Sequence, residues 1–254
     1  AGSGFDRLQL GGTSSSFPGL KRRTSTIECR LADDSAITTL VGANSAGKST
    51  TLLALSGLVK KAAGQVLFDG KDISHLPPHL RVRRGMVRTF QITQPFAKLS
   101  VLENIAVGSH QQFAHRADAL AHARGIAQQV GMAHQLDQPA SELTVAGRKR
   151  LELARTLATS PKLLLLDEVM AGLNPQEILE IIGIIRKIRD SGVTILLIEH
   201  VMHAVMSLSD HIHVLSYGKI IAEGKPQEVV SNRDVIEAYL GRGAAEQIAG
   251  NTHA

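Results

Sequence analysis

Val41-Gly42-Ala43-Asn44-Ser45-Ala46-Gly47-Lys48-Ser49-Thr50 is the stretch on which the reading of this chain turns. Gly42 and Gly47-Lys48-Ser49 fit the spacing G-x-x-x-x-G-K-[ST], a loop built to cradle phosphate. Glycines let the backbone turn so that successive N–H groups converge on one anion. A helix beginning near Lys48 adds its positive N-terminal end. In such a loop the lysine reaches the β- and γ-phosphates, and the hydroxyl of Ser49 takes a Mg²⁺ coordination position. The motif requires a strand before it and a helix after it. Ile37-Thr38-Thr39-Leu40-Val41 is β-branched and apolar, as a buried strand should be. Residues 51–56, closed by Gly57, read as a helix with a glycine stop.

Downstream, Leu163-Leu164-Leu165-Leu166-Asp167-Glu168 is a short apolar run ending in two carboxylates. By itself it is a weak signal, since any buried strand can end in an acid. After a phosphate loop it reads as a metal-holding Asp167 at a strand's carboxyl end, where ligands gather in open parallel sheets. Glu168 then faces a water attacking the γ-phosphate, as base or orienting acceptor. A second buried strand, residues 193–198, ends at Glu199-His200. A lone histidine is as a rule structural, but His200 stands on the edge where the phosphates should lie. Gln91 closes a strand predicted over 85–91 and either reaches Mg²⁺ or the water, or is a surface amide. Phe17, one short hairpin upstream of the loop, is either an adenine-stacking aromatic or an ordinary core or surface phenylalanine.

The alternation of strand and helix is interrupted from residue 95 to 145. There Ala119, Ala123, Ile126, Ala127 and Val130 recur at helical spacing, and helices are predicted over 101–107 and 116–130. Helices are also expected over 148–159, 175–190, 226–230 and 235–240, with a hairpin around Ser216-Tyr217-Gly218. The predicted fold class is α/β: a mainly parallel sheet flanked by helices, with an antiparallel β subdomain and an inserted helical subdomain. The expected division is 1–94, 95–145, 146–240 and a flexible tail at 241–254.

The 254 residues carry a formal charge of +5, with 43% hydrophobic and 20% charged residues, as in ordinary globular chains. The basic residues come in short groups (Lys21-Arg22-Arg23, Arg81 to Arg84, Arg148-Lys149-Arg150) and read as solvated faces. With no Trp, six Phe and two Tyr, a base-stacking platform for nucleic acid is not expected. Cys29 stands alone, which excludes an internal disulfide and suits a cytosolic setting. No apolar run approaches the ~18 residues needed to span a bilayer, and the N-terminus lacks a signal pattern.

Together these passages resemble the ATP-binding subunit of ABC transporters, a P-loop NTPase core. Residues 42–50 are similar to its Walker A motif, 163–168 to Walker B, Gln91 to the Q-loop, 171–175 to the D-loop and His200 to the switch histidine. Phe17 matches the A-loop aromatic by position only. Arg88-Thr89-Phe90-Gln91, Val101-Leu102-Glu103-Asn104 and the segment 235–241 are most similar to the ATPases of branched-chain amino-acid importers, a pattern that urea-type importers share. The resemblance implies ATP and Mg²⁺ as cofactors and a head-to-tail pair with an identical or related second ATPase. It also implies separate membrane permease subunits, a solute-binding protein acting indirectly, and a place on the inner face of the cell membrane. A soluble ABC-type ATPase acting on nucleic acid or ribosomes is the alternative, and a non-hydrolysing scaffold a third.

Two departures stand out. The signature, usually L-S-G-G-Q, falls at 143–147, where Thr144 keeps a hydroxyl for a γ-phosphate while Ala146 and Gly147 replace the family's glycine and glutamine. A methyl at 146 is expected to hold back the approach to the opposite subunit's ATP, with Gly147 restoring freedom one residue later. In the loop, Ala43 and Ser45 replace the usual Pro and Gly. If position 45 needs a positive φ, Ser45 is strained by about 1 kcal/mol. Neither departure removes a group that hydrolysis requires.

Overall fold

Strands made wholly of branched and leucine side chains need cover on both faces, and residues 37–41, 163–166 and 194–198 are such runs. In the computed structural model, which describes residues 7–9, 19–21, 26–29, 36–60, 64–91, 93–232 and 235, they lie side by side. The strands are β1 (Arg7–Gln9), β2 (Gly19–Lys21), β3 (Thr26–Cys29), β4 (Ile37–Gly42), β5 (Gln65–Phe68), β6 (Lys71–Asp72), β7 (Met86–Arg88), β8 (Leu163–Asp167), β9 (Thr194–Ile198), β10 (His211–Ser216) and β11 (Lys219–Gly224). The helices are α1 (Lys48–Ser56), α2 (Pro78–Arg83), α3 (Val101–Ser109), α4 (Arg116–Gln129), α5 (Val145–Leu157), α6 (Pro175–Asp190), α7 (Met202–Leu208) and α8 (Pro226–Val230).

The central sheet has the order β11-β10-β4-β9-β8-β7, parallel throughout except for the β10–β11 hairpin. A second sheet, β1-β2-β3-β5-β6, is antiparallel except where β3 runs parallel to β5. On one face of the central sheet Ile105, Leu151, Leu166, Ile181 and Ile195 share a core. On the other, Leu40 and Leu196 meet Leu52 and Leu55 of α1 and Val66 and Phe68 of β5. Residues 95–145 hold α3, α4 and two 3₁₀ turns.

Helix α6 has the predicted limits because its ends are written locally. The Asn174 side chain accepts from Glu177 N (3.0 Å) while Glu177 accepts from Asn174 N (2.8 Å), with Pro175 in the first turn. Helix α5 instead begins three residues before the predicted 148, since Thr144 caps it by accepting from Gly147 N at 3.1 Å. Strand β7 stops at Arg88, so Gln91 lies in the loop beyond it rather than at a strand end. The hairpin turns on Tyr217 and Gly218, with φ of 45° and 75°. Phe17, the tail after 240, and all of the predicted helix 235–240 except Val235 lie outside the described residues.

The solvated-face reading of the basic groups fails at two positions. Arg81 is 3% exposed and Lys149 6%. Arg81 donates to the carbonyls of Ala54 and Leu55 in the last turn of α1, and to those of Leu76 and Ser74. Burial of a guanidinium is tolerable only with such a full set of acceptors. Lys149 belongs to the site described next.

Candidate active site

Strand β4 delivers the chain at Gly42, whose Cα faces the carbonyl of Leu215 in the adjacent strand. A Cβ there would lie 2.3 Å from that oxygen, so only glycine fits. The loop then turns through Ser45 at φ 69° and Gly47 at φ 103° before α1 begins at Lys48. Ser45 therefore carries the left-handed strain that its place in the motif predicted, about 1–2 kcal/mol for a side chain with a Cβ. Ala43, Asn44 and Ser45 are exposed, Ala46 is buried, Ser49 is half-buried and Thr50 exposed. Lys48 is buried and folds back over the loop, donating from Nζ to the carbonyls of Gly42 (2.7 Å) and Ala43 (2.9 Å). Burial pushes its ammonium below its ordinary value, against the pull of the Glu168 and Asp167 charges.

The carboxyl ends of β4, β9, β8 and β7 lie in a row. Leu40 pairs with Ile198, and Ile198 with Asp167. That register brings residues from four distant parts of the chain to one edge. Asp167, 1% exposed, accepts at Oδ2 from Arg88 Nη2 at 2.7 Å, and its backbone N–H donates to Thr89 Oγ1. Glu168 sits at φ 50°, a strained conformation for glutamate of the kind concentrated at functional sites. In that pose it accepts from Gln91 Nε2 at 3.0 Å on one oxygen and from His200 Nε2 at 2.8 Å on the other. Gln91 and His200 are thus neither a bare surface amide nor a core histidine, for both grip the same carboxylate.

Asp167 Oδ1 is buried and has no hydrogen-bond partner among the described residues. A hard divalent cation takes oxygen donors of this sort, so Asp167 and the Ser49 hydroxyl fit a magnesium site.

Three supporting groups escaped sequence reasoning. Lys149 Nζ donates to the carbonyls of Gln91 (3.4 Å) and Glu168 (3.3 Å), tying both to α5. Glu152, one turn on, accepts from Phe90 N, and burial pushes its carboxyl up, opposed by that bond and by Lys149, Arg155 and Arg88. The available signal was the pair Lys149 and Glu152 one turn apart among buried leucines, a spacing easily taken for a surface ion pair. Glu199 accepts from Met170 N (2.9 Å) and His200 N (3.2 Å), setting the backbone on which the histidine stands.

Burial is also the main force raising the Glu199 carboxyl above its ordinary value, with the backbone donors acting the other way. A folded-state value above the unfolded one favours the folded state while the group is protonated, and that contribution drains away as pH rises through the raised value. Glu199→Gln removes this titration. The difference in melting temperature, variant minus parent, should therefore move in the variant's favour as pH rises from below the ordinary carboxyl range toward neutrality. Thermal melts showing a pH-independent difference would contradict the assignment.

At the signature stretch the structure corrects the sequence. Gly147 has no positive φ and lies within the first turn of α5, where a Cβ would meet Leu143 at 3.3 Å, so it supplies no extra turn. Ala146 is 5% exposed, its methyl covered by the chain, so it does not stand in the way of an approaching partner. The bulk presented there is Val145, 55% exposed beside the exposed Thr144. Among the described residues no hydrogen bond links Thr144, Ala146 or Gly147 to Lys48, Glu168 or His200.

The sequence matches the ABC transporter family over residues 31–171, and a branched-chain amino acid ATP-binding cassette transporter family over 219–245. It is 36% identical to the high-affinity branched-chain amino acid transport ATP-binding protein BraF of Pseudomonas aeruginosa, covering 82% of this chain and 88% of that protein. To LivG of Escherichia coli K12, a protein of the same description, it is 38% identical over 81% of this chain and 87% of the other. The crystal structure of the ADP conformation of an ABC transporter's ATP-binding cassette superposes with a TM-score of 0.73 at 32% identity, over 82% of this chain and 88% of that one. With its phosphate loop, paired carboxylates and histidine on one sheet edge, this chain belongs to the ABC transporter family, as one of its ATP-binding and ATP-hydrolysing cassettes.

Proposed function

We propose that the chain powers uptake of branched-chain amino acids, or a similar small polar solute, through separate membrane permease subunits. The observation that carries the catalytic part is the convergence of Gln91 and His200 on Glu168, beside the buried Asp167 and the Lys48 loop. In this reading residues 42–50 hold the triphosphate by backbone N–H groups, and Lys48 exchanges its two loop carbonyls for β- and γ-phosphate oxygens. Ser49, Asp167 and Gln91 would hold Mg²⁺, which would supply charge neutralisation on the phosphates. Glu168 accepts the proton of the attacking water, and His200 and Gln91 keep the carboxylate aimed. Sequestration from bulk water comes from a second ATPase, identical or related, whose Thr144–Gly147 stretch closes over the site.

The partner surface is supported by a groove of about 720 Å³ between β7 and helices α3 and α5. Of its lining residues Phe90 is 58% exposed and Val107 45%. Among the described residues no helix is long and apolar enough to cross a membrane; in this reading the permease is a separate chain that docks on the groove, whose wall includes Val107 and Gly108 of the segment 95–145. In this reading the chain sits peripherally on the inner membrane face and is linked only indirectly to a solute-binding protein. The relatives named for branched-chain amino acid transport favour that solute class over urea.

The sandwich has its own test. Glu168→Gln protein with ATP, alone or with a cognate ATPase, should run as a dimer by light scattering. Monomers under both conditions would remove the second subunit from the site. Co-purification of nucleic acid in place of membrane proteins would favour the soluble alternative.

A further inference from the structure

An ion pair reaches into the proposed metal site from Arg88, a residue with no role of its own in the passage 88–91 as read from the sequence. Arg88, 10% exposed at its side chain, donates to Asp167 Oδ2 at 2.7 Å, leaving Oδ1 as the only bare oxygen. Its remaining donors Nε and Nη1 are buried without partners among the described residues. Glu152 lines the same groove, feels the Arg88 charge and has a buried Oε2 without a partner among the described residues. A guanidinium with two spare buried donors, and a second buried carboxylate with a free oxygen on the same groove, leave an alternative charge-assisted pair open.

We infer that Arg88 is a positioning residue that competes with the nucleotide's Mg²⁺ for Asp167, and that Glu152 sets the strength of this competition by drawing the guanidinium away. The inference rests on the Asp167–Mg²⁺ reading given above. When Arg88 stays on Asp167, the carboxylate is already neutralised and a cation meets a like charge. When Arg88 turns toward Glu152, both oxygens of Asp167 are released. Because Glu152 also accepts from Phe90 N in the groove wall next to Gln91, the contents of the groove can bias this choice without touching ATP.

The test is the ratio of ATP dissociation constants in EDTA and in Mg²⁺, measured by calorimetric titration of the whole chain, with melting curves as the folding control. Arg88→Met removes the competing charge at similar length, and the ratio should rise about tenfold. Glu152→Gln leaves Arg88 wholly on Asp167, and the ratio should fall severalfold. Arg88→Lys keeps the charge and should stay within about twofold of the parent. A merely structural role would lower the melting temperature of all three without moving the ratio in opposite directions. If Arg88→Met folds and its ratio is unchanged or lower, the inference fails. Should that variant not fold, an unchanged or raised ratio in Glu152→Gln overturns it equally. Parent protein that binds no ATP in either buffer would instead overturn the nucleotide reading, and this inference with it. ATP binding in EDTA with no gain from Mg²⁺ would remove the metal site alone, which also ends the competition.

Discussion

Glu168→Gln should lower ATP turnover by about 10²–10⁴-fold, the range typical for loss of a general base. The substitution is nearly isosteric, so the left-handed backbone at φ 50° is kept. What disappears is the negative charge that accepts a proton. One oxygen of the carboxylate serves Gln91 and the other His200, so an amide at 168 also turns an N–H₂ toward one of these donors. Affinity for ATP should be preserved, because the phosphate contacts belong to the loop and not to Glu168. Phosphate release measured beside a nucleotide titration separates the two. Parent-level turnover in the variant would strip Glu168 of its role, whereas lost affinity would place it in binding.

Lys48→Ala should weaken ATP binding by about 10²-fold or more, since charge-assisted bonds are worth ~1.5–3 kcal/mol each and tenfold in affinity is ~1.4 kcal/mol. In the structure the ammonium is parked on the carbonyls of Gly42 and Ala43. It therefore gives up two bonds to make its phosphate contacts, and the net loss is smaller than the gross. A triphosphate adds negative charge beside a lysine that burial has pushed down, so binding should draw its proton affinity back up. Calorimetry showing parent affinity in the variant would contradict this role. A melting curve is the necessary control, because the two loop bonds are lost as well.

Much of this was written locally. Residues 42–49 fix a strand, a tight turn and a helix start by steric and hydrogen-bonding rules that act within ten residues, and Ser45 shows the strain that its position predicted. Helix α6 begins at its capping box and ends where predicted for the same reason. Helix α5 was misplaced because the capping role of Thr144 was hidden behind its expected role toward a partner's phosphate. The basic groups misled because a charge's burial depends on which carbonyls or carboxylates it meets. Arg81 finds the end of α1, and Lys149 the carbonyls of Gln91 and Glu168.

By itself, then, the sequence determined the phosphate loop, the alternation of strand and helix, and which residue types stand at strand ends. Only the tertiary structure decided that β9 lies between β4 and β8, so that His200 reaches Glu168, and that Arg88 of the neighbouring β7 pairs with Asp167. Strand order and register are set by the packing of whole sheet faces, a non-local balance that no window of neighbouring residues carries.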